Sequence, residues 1–441
     1  MTNGSDNQKS HLGIFDSVCI IVGIIVGVGI YETSPLIAAS LPNENWVIGI
    51  WLLGGLLSLA GALCYAELAA LYPQTGGDYI YLRHAYGNLF AFLFGWGRTA
   101  IIRPGSIAAM AFPFASYALE IWDPFLQTPL EKMSEVIVAS LCVLLLTALN
   151  AQRLSTGAVI QNFLTLTKVL GLLLVFLIPL LAAPEIATTP SSATNTSDDF
   201  GLALILVLFT FGGWSEVAFV AGEVRDPKRN ILRILLYGIF AVTLLYLLVN
   251  FSFLYALGHQ AMAQSDAVAA DAAKHVLSED AGIFISALIC VSALGAVQGL
   301  IFTGGRISYA LGKDFNLLSF LARWDEYRGG PVNALWIQAF LTICIIVLTG
   351  SFFGAVLYTS AVVWFFYACV GLTVVIFRLR GTGAKRSIGT LGYPLSVALF
   401  VSSCVYLTYS SILYDSKGTL ISLGLLLVGV PIYLLSKQRE P

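Results

Sequence analysis

Two stretches decide the fold of this chain: residues 25–32, Ile-Val-Gly-Val-Gly-Ile-Tyr-Glu, and residues 209–216, Phe-Thr-Phe-Gly-Gly-Trp-Ser-Glu. Each places glycine in the middle of a long apolar segment, 14–38 in the first case and 200–222 in the second. A membrane-spanning helix must satisfy its backbone internally, so a broken helix persists only where it lines a cavity or meets a ligand. A pair of broken segments in corresponding positions indicates the substrate site of a secondary transporter.

The composition excludes a soluble globular protein. The 441 residues are 58% hydrophobic and only 11% charged, whereas soluble domains carry about a quarter charged residues. Apolar runs long enough to cross a bilayer recur along the whole chain. We predict twelve spans, numbered in chain order, near residues 14–38, 46–72, 86–120, 133–150, 154–182, 200–222, 231–257, 281–311, 332–350, 354–378, 391–413 and 417–436.

The basic residues sort to one side of these spans. With the N-terminus inside, most loop lysines and arginines lie inside, and the outer side holds only Lys132, Lys274 and Lys417. Basic residues are retained on the cytoplasmic side, and an odd number of spans would destroy the sorting. The sequence therefore predicts a multi-pass protein of the cytoplasmic membrane, in contact with the lipid bilayer, with both termini in the cytoplasm.

Several other functions are not expected. The seven cysteines all fall inside predicted spans, with no disulfide or metal-ligand spacing. The four histidines lie outside the core of the bundle, and no pattern of nucleophile and base is present. We therefore expect no enzyme activity, no metal, no cofactor and no nucleic-acid partner.

The two broken spans also suggest the architecture of a single transmembrane domain. If spans 1 and 6 are equivalent, the first ten spans divide into two groups of five, residues 14–182 and 200–378. An odd number of spans in each group forces the two groups to be inverted, and residues 391–436 form two additional spans outside the repeat. The fold class predicted is an all-α membrane protein, a five-plus-five inverted repeat with broken helices 1 and 6.

The breaks supply complementary backbone groups. Unwinding span 1 at Gly27, Val28 and Gly29 frees the amides of the second half-helix, and these amides with the helix dipole suit an anion. Unwinding span 6 frees carbonyls such as those of Phe209 and Thr210, and of Gly212 beside them, which can accept hydrogen bonds from an ammonium group. A site that holds a carboxylate beside an amine describes an α-amino acid. The alternative is that the glycines only allow close helix packing.

Charged residues near the membrane centre are functional hypotheses by default, because an isolated charge there is costly. Lys168, in span 5, is expected to point at the freed carbonyls of span 1 and to replace a sodium ion, so transport would be sodium-independent. Glu32 and Glu216 each follow a break within one turn. Either faces the substrate cavity, where it attracts a cationic side chain or carries a coupling proton, or forms an ion pair with Arg98, Arg103 or Lys168.

These residues, in this order along the chain, resemble a known family. The chain is similar to amino acid permeases of the APC superfamily, closest to the L-type amino acid transporter light-chain group. The matching stretches are Gly27-Val28-Gly29-Ile30, Gly61-Ala62-Leu63-Cys64-Tyr65-Ala66-Glu67-Leu68, Gly76-Gly77-Asp78-Tyr79, Ile101-Ile102-Arg103-Pro104, Lys168, Phe209-Thr210-Phe211-Gly212-Gly213-Trp214, and Phe302-Thr303 with Arg306.

The resemblance implies a five-plus-five inverted repeat, an amino acid held between spans 1 and 6, and a span 5 lysine in the place of sodium. The positions that match those binding the amino acid backbone are Ile25, Val28, Gly29, Phe209, Thr210 and Gly212, and Phe209 matches an aromatic gate. The adjoining residues of the breaks are expected to line the same site: Gly27, Ile30, Phe211, Gly213 and Trp214.

The chain departs from this family at four places. Val28 replaces the usual serine or alanine, which leaves backbone amides alone to bind the carboxylate. Gly304-Gly305 replaces a common hydroxyl pair, which weakens any sodium site. The loop between spans 3 and 4 has no cysteine, so no disulfide-linked heavy chain is expected. Glu32 and Glu216 are unusual at these positions in the family. They leave a polyamine or cationic amino acid porter open as an alternative.

The prediction is therefore a sodium-independent amino acid transporter that works by alternating access, as an exchanger or with a coupled proton. A nutrient receptor in this fold is a weaker alternative, because such receptors carry long cytoplasmic tails and this chain has none.

Overall fold

A computed structural model describes residues 13–72, 76–126, 132–152, 199–216, 226–325, 330–381 and 390–436, with the isolated positions 171, 174, 175, 177 and 224. These ranges are almost entirely helical. The α-helices are α1 (Ile14–Ile25), α2 (Gly29–Ala39), α3 (Glu44–Leu71), α4 (Asp78–Tyr86), α5 (Asn88–Gly97), α6 (Arg103–Leu126), α7 (Lys132–Gln152), α8 (Phe200–Thr210), α9 (Pro227–Gln264), α10 (Val268–Val276), α11 (Glu279–Asp314), α12 (Val332–Thr349), α13 (Phe352–Leu379), α14 (Leu395–Tyr414) and α15 (Ser416–Leu435).

The helices are those of an integral, multi-pass membrane protein. Within the described ranges, eight helices are long and apolar enough to span a bilayer, and the bent pair α1 and α2 would make a ninth. The peripheral helices turn large apolar side chains outward, such as Leu145 (65% exposed), Phe340 (66%) and Leu427 (64%). In water such surfaces would be aggregation-prone patches, whereas in a bilayer lipid covers them.

The observed helices coincide with the predicted spans wherever the chain is described. Span 5, predicted at 154–182, lies almost wholly outside the described residues, so twelve spans remain a prediction. The region between the predicted spans 231–257 and 281–311, which those bounds leave as an outer connection, is helical instead. α9 turns sharply at Gly258, where φ is 74°, and the alanine-rich α10 follows. Alanine has the highest helix propensity, and α10 packs against α11, so this stretch is helical although it is too short and too polar to span.

The third predicted span contains a local irregularity next to its proline. Residues Arg98–Ile102 form a π-helical turn between α5 and α6, in which the Arg103 amide bonds to the Arg98 carbonyl. Pro104 follows at once and has no N–H to donate to the preceding turn. Turns of this kind widen a helix, often at functional sites, and this one places two arginines side by side in the bundle.

Small residues let the helices approach closely around the second break. Gly54 in α3 lies against Val207 and Phe211, and Gly61, two turns further along α3, lies against Trp214 and Phe400. Such contacts replace the hydrophobic driving force that is missing between helices in lipid. α3 therefore forms the wall on which the broken span rests.

We predict that Gly54→Ala destabilises the protein. A Cβ at this position would lie 2.1 Å from Val207 Cγ1 and 3.1 Å from Phe211 Cε2, and overpacking of this kind costs about 1–3 kcal/mol. The melting temperature of the detergent-purified variant measures the effect. Gly49→Ala is the matched control on the same helix, because no atom lies within 4 Å of its added Cβ. Equal melting temperatures for the two variants would contradict the packing argument.

Candidate substrate site at the two helix breaks

The first break separates α1 from α2. α1 ends at Ile25, α2 begins at Gly29, and the two helix axes are bent by 52°. The residue that precedes α2 is Val28, which offers no side-chain cap. The first amides of a helix have no acceptor four residues back within it. The Tyr31 amide donates to the Val28 carbonyl at 3.0 Å, so we expect the amides of Gly29 and Ile30 to be the ones available to a ligand. Gly29 and Ile30 lie in the buried centre of the bundle.

The second break follows α8, which ends at Thr210. Its turn is tight: the Gly212 amide donates to the Phe209 carbonyl at 2.9 Å, and the Glu216 amide donates to the Gly213 carbonyl at 3.0 Å. Gly213 has φ of 109°, a conformation that favours glycine. The Phe209 carbonyl therefore already accepts one bond from its own turn, and its second lone pair remains for a ligand.

The structure brings the two breaks together. A Cβ built on Gly29 would lie 3.8 Å from Phe209 Cε1 and 4.0 Å from Thr210 Oγ1, and one built on Gly213 would lie 3.0 Å from Ile24 Cγ2. The hydroxyls of Thr33 and Thr210 are 2.9 Å apart. Residues predicted to share a site, although they lie far apart in the chain, therefore form one locus.

Tyr246 in α9 joins the breaks and was missed by the sequence analysis. Its hydroxyl oxygen lies 3.1 Å from the Ile25 carbonyl and 3.1 Å from the Thr210 carbonyl. The single hydroxyl proton is shared between two carbonyls, those of the last residues of α1 and α8. The ring is fully buried and packs edge-on against Trp51 and Phe211. A buried tyrosine usually finds a partner for its hydroxyl. A tyrosine in the middle of an apolar span was therefore the sequence feature that could have indicated this contact.

The three aromatic residues of the second break have different surroundings. Phe209 is partly buried and lies edge-on to Phe352 with ring centroids 5.9 Å apart, on the side that faces Gly29. Phe211 is completely buried against Trp51. Trp214 is buried against Tyr65, with ring centroids 5.0 Å apart. The role of Phe209 as a gate stays a prediction, while the rings of Phe211 and Trp214 pack into the bundle behind the break.

Glu216 forms an ion pair. One carboxylate oxygen lies 2.5 Å from Arg98 and 3.6 Å from Arg103. Both arginines come from the π-helical turn region and are buried. Of the two alternatives that the sequence left open for Glu216, the geometry shows the internal pair with arginine. Asp78, at the start of α4, lies nearby, and its burial raises its pKa to about 7 although Arg98 acts to lower it.

Glu32 has a different environment. Its Oε1 atom is buried and has no hydrogen-bond partner among the described residues. The expected contact between Lys168 and the carbonyls of span 1 lies outside the described residues. The two glutamates therefore occupy equivalent positions after their breaks but differ in pairing.

The glycine pair of α11 has a packing role. A Cβ on Gly304 would lie 2.1 Å from Gln338 Oε1 and 2.6 Å from Arg103 Cγ. A hydroxyl residue does not fit there without displacing these side chains, so the space is filled by protein. Within the described part of the chain, no group of histidine, cysteine or acidic residues has the geometry to hold a metal ion.

Comparison with known proteins identifies the family. A model of the amino acid permease family matches residues 12–430 of the chain. The chain belongs to the amino acid permease family. It is similar to the b(0,+)-type amino acid transporter 1 of Mus musculus, with 28% identity over 90% of this chain and 81% of that one. It is also similar to the large neutral amino acids transporter small subunit 2 of Homo sapiens, with 28% identity over 98% and 82% of the two chains.

A bacterial relative matches over its whole length. The serine/threonine exchanger SteT of Bacillus subtilis (strain 168) is 25% identical over 100% of both chains. This permease is therefore a membrane transporter and not an enzyme, as the sequence predicted, and amino acids are the cargo named for its relatives.

We predict that Tyr246→Phe weakens transport while the fold is retained. The substitution keeps the ring in its packing site but leaves the Ile25 and Thr210 carbonyls without their shared donor, and an unpaired buried group costs about 1–3 kcal/mol. We expect amino acid exchange in proteoliposomes to fall about tenfold. Tyr237→Phe, on the same helix and 58% exposed, is the control. Full exchange by the Tyr246 variant would show that the hydroxyl is dispensable.

Proposed function

We propose that this permease carries α-amino acids across the cytoplasmic membrane by sodium-independent alternating access, with both termini in the cytoplasm. The observation that carries the proposal is the contact between the two broken spans. An uncapped helix start at Val28 and Gly29 lies beside the carbonyl-bearing turn at Phe209 to Gly213. The backbone at the two breaks is also joined by the Tyr246 hydroxyl, which reaches the carbonyls of Ile25 and Thr210.

The substrate backbone is bound by these main-chain groups. Its carboxylate accepts hydrogen bonds from the first amides of α2, around Gly27, Val28, Gly29 and Ile30, where the helix dipole also favours negative charge. Its ammonium donates to carbonyls of the second break. Ile25 and Thr210 take part through the carbonyls that they share with Tyr246. Phe209 closes the site, and Phe211, Gly212, Gly213 and Trp214 fix the turn that presents the carbonyls.

We favour exchange of one amino acid for another as the transport mode, because one relative is named a serine/threonine exchanger. Proton coupling is the competing mode. The polyamine alternative loses support from Glu216, because that carboxylate is already paired with Arg98. The amides of α2 would also have no counterpart in a substrate without a carboxylate.

The architecture proposed for this mechanism is twelve spans in a five-plus-five inverted repeat. Residues 14–182 and 200–378 form the two inverted halves, and residues 391–436 form two additional helices. Support comes from the sorting of basic residues and from breaks at equivalent places in spans 1 and 6. The absence of cysteine from the loop between spans 3 and 4 supports a transporter that works without a disulfide-linked heavy chain.

Thermal stabilisation with a panel of ligands tests the proposal. A ligand that binds the folded state raises the melting temperature with concentration. We expect serine, threonine or leucine to stabilise the purified protein and their carboxyl amides to have no effect. Proteoliposomes loaded with the stabilising amino acid should exchange it equally in sodium and in choline buffer. Stabilisation by polyamines alone would overturn the proposal that amino acids are the substrate. Exchange that requires sodium would overturn the proposed sodium independence.

The role proposed for Lys168 is that of a fixed cation. We expect Lys168→Ala to slow exchange strongly while membrane insertion is unchanged, because the charge that replaces sodium is lost. Exchange rates in proteoliposomes and the monodispersity of the purified variant measure the two effects. Lys417→Ala, at an exposed position in the first turn of α15, is the control for removal of a lysine. Exchange at the wild-type rate in the Lys168 variant would remove this residue from the mechanism.

A further inference from the structure

We propose that an anionic phospholipid binds in the outward-facing groove between α13 and α14, with an acyl chain along the groove and its phosphate at Arg380. The groove has a volume of about 670 Å³, within the range of about 300–1,000 Å³ that is usual for ligand sites. Binding there does not depend on which substrate the permease carries, because the groove lies outside the bundle.

The groove follows one face of α14. Its lining residues on this helix recur every three or four positions, from Val397 and Ala398 through Val401 and Ser402 to Tyr409. From Val397 to Tyr409 the helix rises about 18 Å, whereas half of the hydrocarbon core of a bilayer measures about 15 Å. The groove is therefore long enough to hold an acyl chain of one leaflet.

The surface of the groove suits a hydrocarbon chain. Ala398 and Ser402 form an exposed floor of small side chains, and the Ser402 hydroxyl already donates to the Leu399 carbonyl of its own turn at 3.1 Å. Leu372 of α13, 42% exposed, and Val405 of α14, 57% exposed, line the groove above this floor. An acyl chain gains close packing contacts there.

The groove is a fixed product of helix packing. A Cβ built on Gly371 of α13 would lie 2.8 Å from Val401 Cγ2 and 3.0 Å from Phe400 Cδ1, so the two helices meet closely along one line. Groove residues of α13 and α14 diverge outward from that line. A ligand therefore finds the groove already formed, and little ordering of the protein opposes binding.

One end of the groove carries an available cation. The Arg378 guanidinium lies 3.7 Å from the ring centroid of Tyr393, which lines this end, and donates to both carboxylate oxygens of Glu67 at 3.2 and 2.6 Å. Glu67 thus neutralises Arg378. Arg380, two residues further along, is exposed and donates to the His84 carbonyl at 3.1 Å. In the described part of the chain no carboxylate pairs with Arg380.

This charge selects an anionic headgroup. A guanidinium has five N–H donors, so Arg380 keeps donors for a phosphate, which arginine binds with two parallel hydrogen bonds. In the topology proposed for the permease this end of the groove faces the cytoplasm. The cytoplasmic leaflet holds the anionic lipids, and basic sites between helices on that side bind their headgroups.

The inner faces of the same two helices contact the second break. Phe400 of α14 packs against Trp214 with ring centroids 5.9 Å apart. The hydroxyls of Tyr367, in α13, and Ser215 lie 2.9 Å apart. A lipid that fills the groove on the outer side therefore stabilises the helices that support the break from behind.

Lipid titration of the protein in an uncharged detergent tests the site. Phosphatidylglycerol and phosphatidylcholine with identical acyl chains are compared by the melting temperature. We expect phosphatidylglycerol to stabilise the wild-type protein at a lower concentration. Arg380→Gln should reduce this preference by about fivefold. Ser402→Phe fills the floor of the groove and should remove the stabilisation by both lipids.

Two variants serve as matched controls and should respond as the wild-type protein does. Arg323→Gln removes an exposed arginine between α11 and α12. Gly424→Phe adds the same ring to an exposed position of α15, where no atom lies within 4 Å of an added Cβ.

Equal stabilisation of the wild-type protein by the two lipids overturns the assignment of the headgroup. A wild-type response to phosphatidylglycerol in Ser402→Phe overturns the groove. If that variant does not fold, native mass spectrometry of the wild-type protein and Arg380→Gln decides. Retention of phosphatidylglycerol that is lost in Arg380→Gln supports the site, and equal retention overturns it.

Discussion

The structure depends on one constraint: backbone polar groups that leave a helix in the middle of a membrane must find partners. At the two breaks these partners come from elsewhere in the bundle. Tyr246 supplies one hydroxyl to the carbonyls of Ile25 and Thr210, and Thr33 meets Thr210 across the breaks. The first amides of α2, at Gly29 and Ile30, are the groups that we propose bind the substrate carboxylate. An unsatisfied amide in hydrocarbon is expensive, so a ligand that pairs these amides would be bound favourably.

Glycine makes this arrangement possible in two physically different ways. Gly213 is required by its backbone, because φ of 109° is strained for other residues. Gly54, Gly61 and Gly304 are required by space, because their neighbours occupy the volume of a side chain. Close packing therefore explains the glycines that surround the breaks. At Gly213 the turn itself requires glycine.

The charged residues show how the same sequence pattern leads to two outcomes. Glu32 and Glu216 each follow a broken helix within one turn, so sequence spacing treats them alike. Glu216 meets arginines that a π-helical turn presents from the third span, and the pair compensates the burial of both charges. Glu32 Oε1 is buried and has no hydrogen-bond partner among the described residues.

The sequence by itself determined the membrane class, the places of the described spans, the two breaks and the family, because apolar run length and glycine position are local properties that the bilayer converts directly into structure. It also named two stretches that the structure brings into contact, from Ile25 to Gly29 and from Phe209 to Gly213; that they bind substrate stays a prediction. Only the tertiary structure decided the contacts of Tyr246, the helix at Val268–Val276, the inward packing of Phe211 and Trp214, and the pairing of Glu216 with Arg98. Each of these depends on which side chain an unrelated helix presents at that depth, and spacing along a single chain does not carry that information.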